Sequence, residues 1–94
     1  MSDAAARLAE IRAAIDGIDT QLLELLAERA RLGVAAGEAK GELGEPVHDP
    51  AREAAILEQI AARGAGPLSS DDLRALWELL MAATRRAEER NKKG

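Results

Sequence analysis

Ninety-four residues with 47% hydrophobic and 32% charged side chains, no cysteine and a formal charge of −4 describe one small domain spanning residues 1–94. The absence of cysteine excludes disulfides, thiolate metal sites and thiol nucleophiles, the single His48 excludes a histidine-rich zinc site, and a pI near 5.0 argues against nucleic acid as the main partner. Of the hydrophobic residues 21 are Ala, leaving 13 Leu, 5 Ile, 2 Val, 2 Met and 1 Trp to build a core; with Phe and Tyr absent, the composition predicts an all-α fold.

Breakers divide the chain into three predicted helices. The first covers residues 3–40, where Gly17, Gly33 and Gly37 are the only interruptions of a helical pattern. Within it Leu8, Ile11, Ile15, Ile18, Leu22, Leu25, Arg29, Leu32, Ala36 and Ala39 keep an unbroken 3,4 spacing, a heptad seam that packs helix on helix. Such a helix is ~57 Å long, more than the two shorter helices can line, so the expected remedy is an intertwined or side-by-side homodimer. A long exposed coiled-coil helix in a larger assembly is the alternative.

Gly41 through His48 reads as a turn-rich connector, and Asp49-Pro50 as an N-cap followed by proline at the first helical position, opening a second helix over residues 50–63 that Gly64 closes. Ser69-Ser70-Asp71-Asp72 caps a third helix over residues 70–90, beyond which Asn91-Lys92-Lys93-Gly94 is expected to fray. No apolar run approaches the ~20 residues of a membrane span and no secretory leader is evident, so the expectation is a cytoplasmic protein with no membrane partner.

Function is expected where residues break the pattern. Arg29 occupies a seam position, so its guanidinium is either buried with partners or lines a cavity. Lys40 lies ~16 Å further along the helix and within ~20° of the same face, either as a second inward cation or as a complement to the helix dipole. Arg12 is 17 residues before Arg29, ~25 Å away on the same helix; it is a solvated arginine or one donated to the site of a second chain. On the third helix the apolar stripe Leu73, Trp77, Leu80 or Met81 continues onto Thr84 and Glu88, although Glu88 could equally be solvated and paired with Lys92. Arg52 and Glu53 follow the Asp49 cap, and Glu53 shares a face with Ile56, Leu57 and Ile60; its alternative is an ordinary acid at a helix N-terminus. Together these residues describe a mostly cationic pocket with no nucleophile–base pair, phosphate loop or metal-ligand set, suited to binding, orienting and stabilising charge.

The sequence Ile11-Arg12, Ile15-x-x-Ile18-Asp19-x-x-Leu22-Leu23-x-Leu25-Leu26-x-x-Arg29, Ala39-Lys40, Pro46-Val47-x-Asp49-x-x-Arg52-Glu53 resembles the all-helical chorismate mutases, with the third helix matching through Thr84 and Glu88. The resemblance implies an intertwined homodimer of three-helix protomers, conversion of the dianion chorismate to prephenate in phenylalanine and tyrosine biosynthesis, and no cofactor or metal. It implies that Arg29 and an Arg12 donated across the interface grip the two carboxylates. Lys40 binds a carboxylate and the ether oxygen, Asp49 and Glu53 hold the ring hydroxyl, and Arg52 supports the cationic shell. Thr84 helps with a carboxylate and Glu88 meets the ether oxygen. In bacterial members of the family the last two positions are usually serine and glutamine. An ionised Glu88 cannot donate to the ether oxygen and a protonated one can, so activity is expected to need protonated Glu88. Isochorismate-pyruvate lyases share this fold and site, and are the nearest alternative. A noncatalytic mutase-like module acting on a larger synthase, and the front part of a bifunctional enzyme, are the others.

Overall fold

A computed structural model describes residues 3–94 and has three helices: α1 (Asp3–Leu43), α2 (Pro50–Arg63) and α3 (Ser70–Lys93). The all-α expectation is met; apart from one isolated bridge between Ala65 and Leu68, no β pairing occurs among the described residues.

The predicted starts of α2 and α3 hold for the reasons expected. Asp49 accepts a hydrogen bond from the Arg52 N–H at 3.1 Å with Pro50 behind it, and Ser69 Oγ accepts from the Asp72 N–H at 3.0 Å. Two ends differ from expectation. Helix α1 runs three residues past Lys40, through Gly41, and stops at Gly44, whose φ is 74°. There the Glu45 N–H bonds the Lys40 carbonyl at 2.8 Å and the Gly44 N–H bonds the Gly41 carbonyl at 3.2 Å, the paired closure of a Schellman motif. Glycine at 41 fits a helix, and the left-handed residue needed to leave it arrives only at 44. Helix α3 likewise continues through Asn91-Lys92-Lys93 instead of fraying. Asn91 Nδ2 donates to Glu38 Oε1 at 3.0 Å, and Arg90, Lys92 and Lys93 complement the negative end of the helix dipole.

The chain divides into two compact units, one ending at Arg31 and one of Leu32–Gly94. The first is helical throughout its described residues, and its apolar seam residues are exposed: Ile11, Ile15, Ile18 and Leu25 each keep half or more of their surface. The second holds the core, where α2 packs on α3. Leu73 and Met81 are buried there, while Ile56, Leu57, Ile60, Trp77 and Leu80 are half-buried. No helix among the described residues is long and apolar enough to cross a membrane.

Candidate active site

The inward face of α3 is the backbone of the site. Leu73, Trp77 and Met81 occupy it at helical spacing, and the next turns place Thr84 and Glu88 on the same face. Glu88 is only 7% exposed, which removes its reading as a solvated partner of Lys92. The close approach is made possible by glycine on α1. A Cβ at Gly33 would collide with Thr84 Cγ2, and one at Gly37 would lie 3.1 Å from Glu88 Oε2 and 3.2 Å from its Cγ. Thr84 donates to the Leu80 carbonyl at 2.8 Å, whereas the buried Glu88 Oε2 has no hydrogen-bond partner within the chain. A buried polar oxygen left in that state is costly unless something meets it, and Glu88 is among the residues that line a cavity of about 120 Å³, with Gly37, Gly41, Val47 and Lys92 on its other walls.

The wall at Val47 is fixed by Lys40. Half-buried at the end of α1, Lys40 donates from Nζ to the Val47 carbonyl at 2.9 Å, tying helix to connector. An ammonium has three donors, so two stay available to a ligand. Lys40 also remains a basic residue in the last turn of α1, so the contact is compatible with either expectation, an inward cation or a complement to the helix dipole.

The start of α2 supplies the acids. Asp49 is exposed and serves as the cap, while Arg52 is exposed and joins the cap through its backbone N–H. Glu53 is half-buried on the same face as Ile56, Leu57 and Ile60, the inward alternative of the two expected. Both its oxygens accept hydrogen bonds from Arg85 Nη1 on α3, and His48 Nε2 lies 3.8 Å from Oε1. Sequence reasoning missed Arg85. It sits four residues after Met81 and eight after Trp77, on the inward side of the stripe, but within a run of charges that reads as a solvated ending. Gly33 and Gly37 were also missed as site residues; their separation of four places them on one helix face, the available signal.

His48 and Arg85 line a second, more open cleft of about 520 Å³ together with Val47, Arg86, Glu89 and Arg90. Val47 thus borders both cavities. The structure therefore brings Lys40, Glu53, Thr84 and Glu88 into the C-terminal unit's inward surfaces and leaves Asp49 and Arg52 on its rim. Arg12 and Arg29 lie in the N-terminal unit, the first exposed and the second half-buried, separated by ~25 Å of helix, so one chain does not place both on one small molecule. Among the described residues no group of three His, Asp or Glu side chains is arranged to hold a metal ion. The C-terminal unit thus carries charged and hydrogen-bonding side chains beside one small cavity and one larger, more open cleft.

Comparison with known proteins places this architecture. The model of the family described as chorismate mutase type II matches residues 11–89. A chorismate mutase of Methanocaldococcus jannaschii is 48% identical over 54 residues, which are 57% of this chain and 54% of that protein. A bifunctional chorismate mutase/prephenate dehydratase of Pseudomonas aeruginosa is 37% identical over 82 residues, 82% of this chain but 22% of that protein. The chain thus spans about half the length of the first of these curated relatives and a smaller part of the second. Among solved structures, a chorismate mutase of Thermus thermophilus superposes with a TM-score of 0.87 at 34% identity, covering 89% of this chain and 96% of that one. A chorismate mutase of Helicobacter pylori in complex with prephenate gives a TM-score of 0.85 at 27% identity, covering 94% and 96%. By sequence over most of its length and by fold, the chain belongs to the chorismate mutase type II family.

Proposed function

We propose that this protein rearranges chorismate to prephenate. The observation that carries the reading is the likeness, over more than nine-tenths of both chains, to a chorismate mutase solved with prephenate. The chemistry suits the residues. The rearrangement is unimolecular: one C–O bond breaks as one C–C bond forms, so no nucleophile, proton transfer or cofactor is obligatory. A flexible dianion has to be folded into a chair-like conformer, and its ether oxygen gains negative charge at the transition state. Lys40 binds a carboxylate and the ether oxygen, where its positive charge is worth more as the oxygen becomes negative. Glu88, protonated, donates to the same oxygen from the other side, which would give its buried carboxyl the partner it lacks within the chain. Thr84 assists a carboxylate, Asp49 and Glu53 hold the ring hydroxyl, and Arg52 adds to the cationic shell. Arg29 grips one carboxylate bidentately and Arg12 of a second copy grips the other.

That last assignment includes a homodimer. The exposed Ile and Leu seam of the N-terminal unit supports it, because a row of large apolar side chains left in water is stabilised by a partner helix. The dehydratase fusions among the relatives support a further association with a larger enzyme acting on the same metabolites.

Incubation of the purified protein with chorismate, and separately with isochorismate, followed by product identification tests the proposal. Prephenate from chorismate is the expected result. Salicylate plus pyruvate from isochorismate with no prephenate from chorismate would replace it with the lyase, and no product from either would leave a binding module.

A further inference from the structure

Glu53 presents a difficulty for a site that takes a dianion. An ionised carboxylate can only accept hydrogen bonds, which suits a ring hydroxyl, but it also repels the two carboxylates of the substrate. The structure offers a compensating group that no role above uses. Arg85, one turn beyond Met81 on α3, donates Nη1 to both oxygens of Glu53 across 32 residues of sequence, and both side chains are largely shielded from solvent, at 32% and 22% exposed. The other titratable group facing Glu53 is His48 on the connector, whose Nε2 lies 3.8 Å from Oε1 and which is itself more than half exposed.

We propose that Arg85 is a positioning residue for substrate binding. It neutralises Glu53 toward the dianion and holds its carboxylate in the one orientation that receives the ring hydroxyl. The inference rests on the mutase reading and on Glu53 as the hydroxyl's acceptor. Neutralisation acts alike on bound substrate and transition state, since both carry the same two carboxylates. Loss of Arg85 therefore weakens binding without slowing the bound molecule, which separates this role from that of Lys40. It also separates the pair from a simple staple between α2 and α3, which would alter unfolding and leave the kinetics alone.

The test is steady-state kinetics with chorismate on wild type, Arg85→Met, Arg85→Lys, Glu53→Gln and the Glu53→Gln/Arg85→Met double variant, with thermal unfolding measured for each. Arg85→Met is expected to raise KM about tenfold with kcat within about twofold of wild type, and Arg85→Lys to recover most of the loss. In the Glu53→Gln background, where no carboxylate needs neutralising, Arg85→Met should change KM little. Arg85→Gln, which keeps a donor but not the charge, carries the same expectation should the methionine variant not fold. An unchanged KM on loss of Arg85, or an equal rise with Gln at 53, overturns the proposal even if Tm falls. A wild type inert toward chorismate overturns the mutase reading itself, so the two failures are distinct.

Discussion

Glu88 is the residue on which the proposed chemistry depends most sharply. It is the one acidic side chain buried among the described residues, and one of its oxygens has no partner in the chain. The transition state needs a donor at the ether oxygen, and a carboxyl donates only when protonated. Glu88→Gln carries an amide donor in place of the carboxyl and should keep kcat within about threefold of wild type or raise it. A glutamine variant that loses kcat by about tenfold or more would remove Glu88 from the role. Much of this was legible beforehand, because Thr84 and Glu88 extend an apolar stripe at a spacing that one sequence suffices to show. Arg85 was not, since its meaning depends on a partner 32 residues away, and local periodicity does not report which charge crosses from one helix to another.

At the scale of elements, sequence chemistry specified beginnings better than ends. Asp49-Pro50 and Ser69 satisfy free helix N–H groups through their own side chains or by lacking an N–H, a local device visible in the residues. The ends of α1 and α3 depend on which glycine takes a positive φ and on a contact between Asn91 and Glu38, neither of which follows from residue type alone. The same ambiguity hides the purpose of the glycines inside α1. Gly17 has nothing within 4 Å of where a Cβ would be, whereas Gly33 and Gly37 face Thr84 and Glu88. Gly17→Ala should therefore stabilise the protein by about 0.5–1 kcal/mol through helix propensity. Gly33→Ala gains the same propensity but drives a methyl into Thr84, and a net destabilisation of about 1–3 kcal/mol is expected, with reduced turnover as Thr84 shifts. Denaturant unfolding of the two variants checks both signs; equal stabilisation would show that α3 yields freely to the added methyl.

At the scale of the whole molecule, the two features that made the chain look incomplete point to the same remedy. A seam of Ile and Leu lies exposed in the N-terminal unit, and Arg12 and Arg29 stand too far apart on one helix to share a ligand. A second copy covering the seam supplies an Arg12 from outside, and the proposal that it does so has a quantitative consequence. Arg12→Ala and Arg29→Ala subunits, each nearly inactive alone, are coexpressed with different tags, and the doubly tagged species is purified from the mixture. In a mixed dimer with donation in trans, one site lacks both arginines and the other has both, so each mixed dimer carries one of two sites intact. Random pairing makes half the dimers mixed, so the unfractionated pool should show about a quarter of wild-type activity and the doubly tagged fraction about half. Had each subunit used its own Arg12, every site in the mixed dimer would lack one arginine and no activity would return. The measurement thus reads whether Arg12 acts across the dimer, and an inactive doubly tagged dimer would count against its donation in trans.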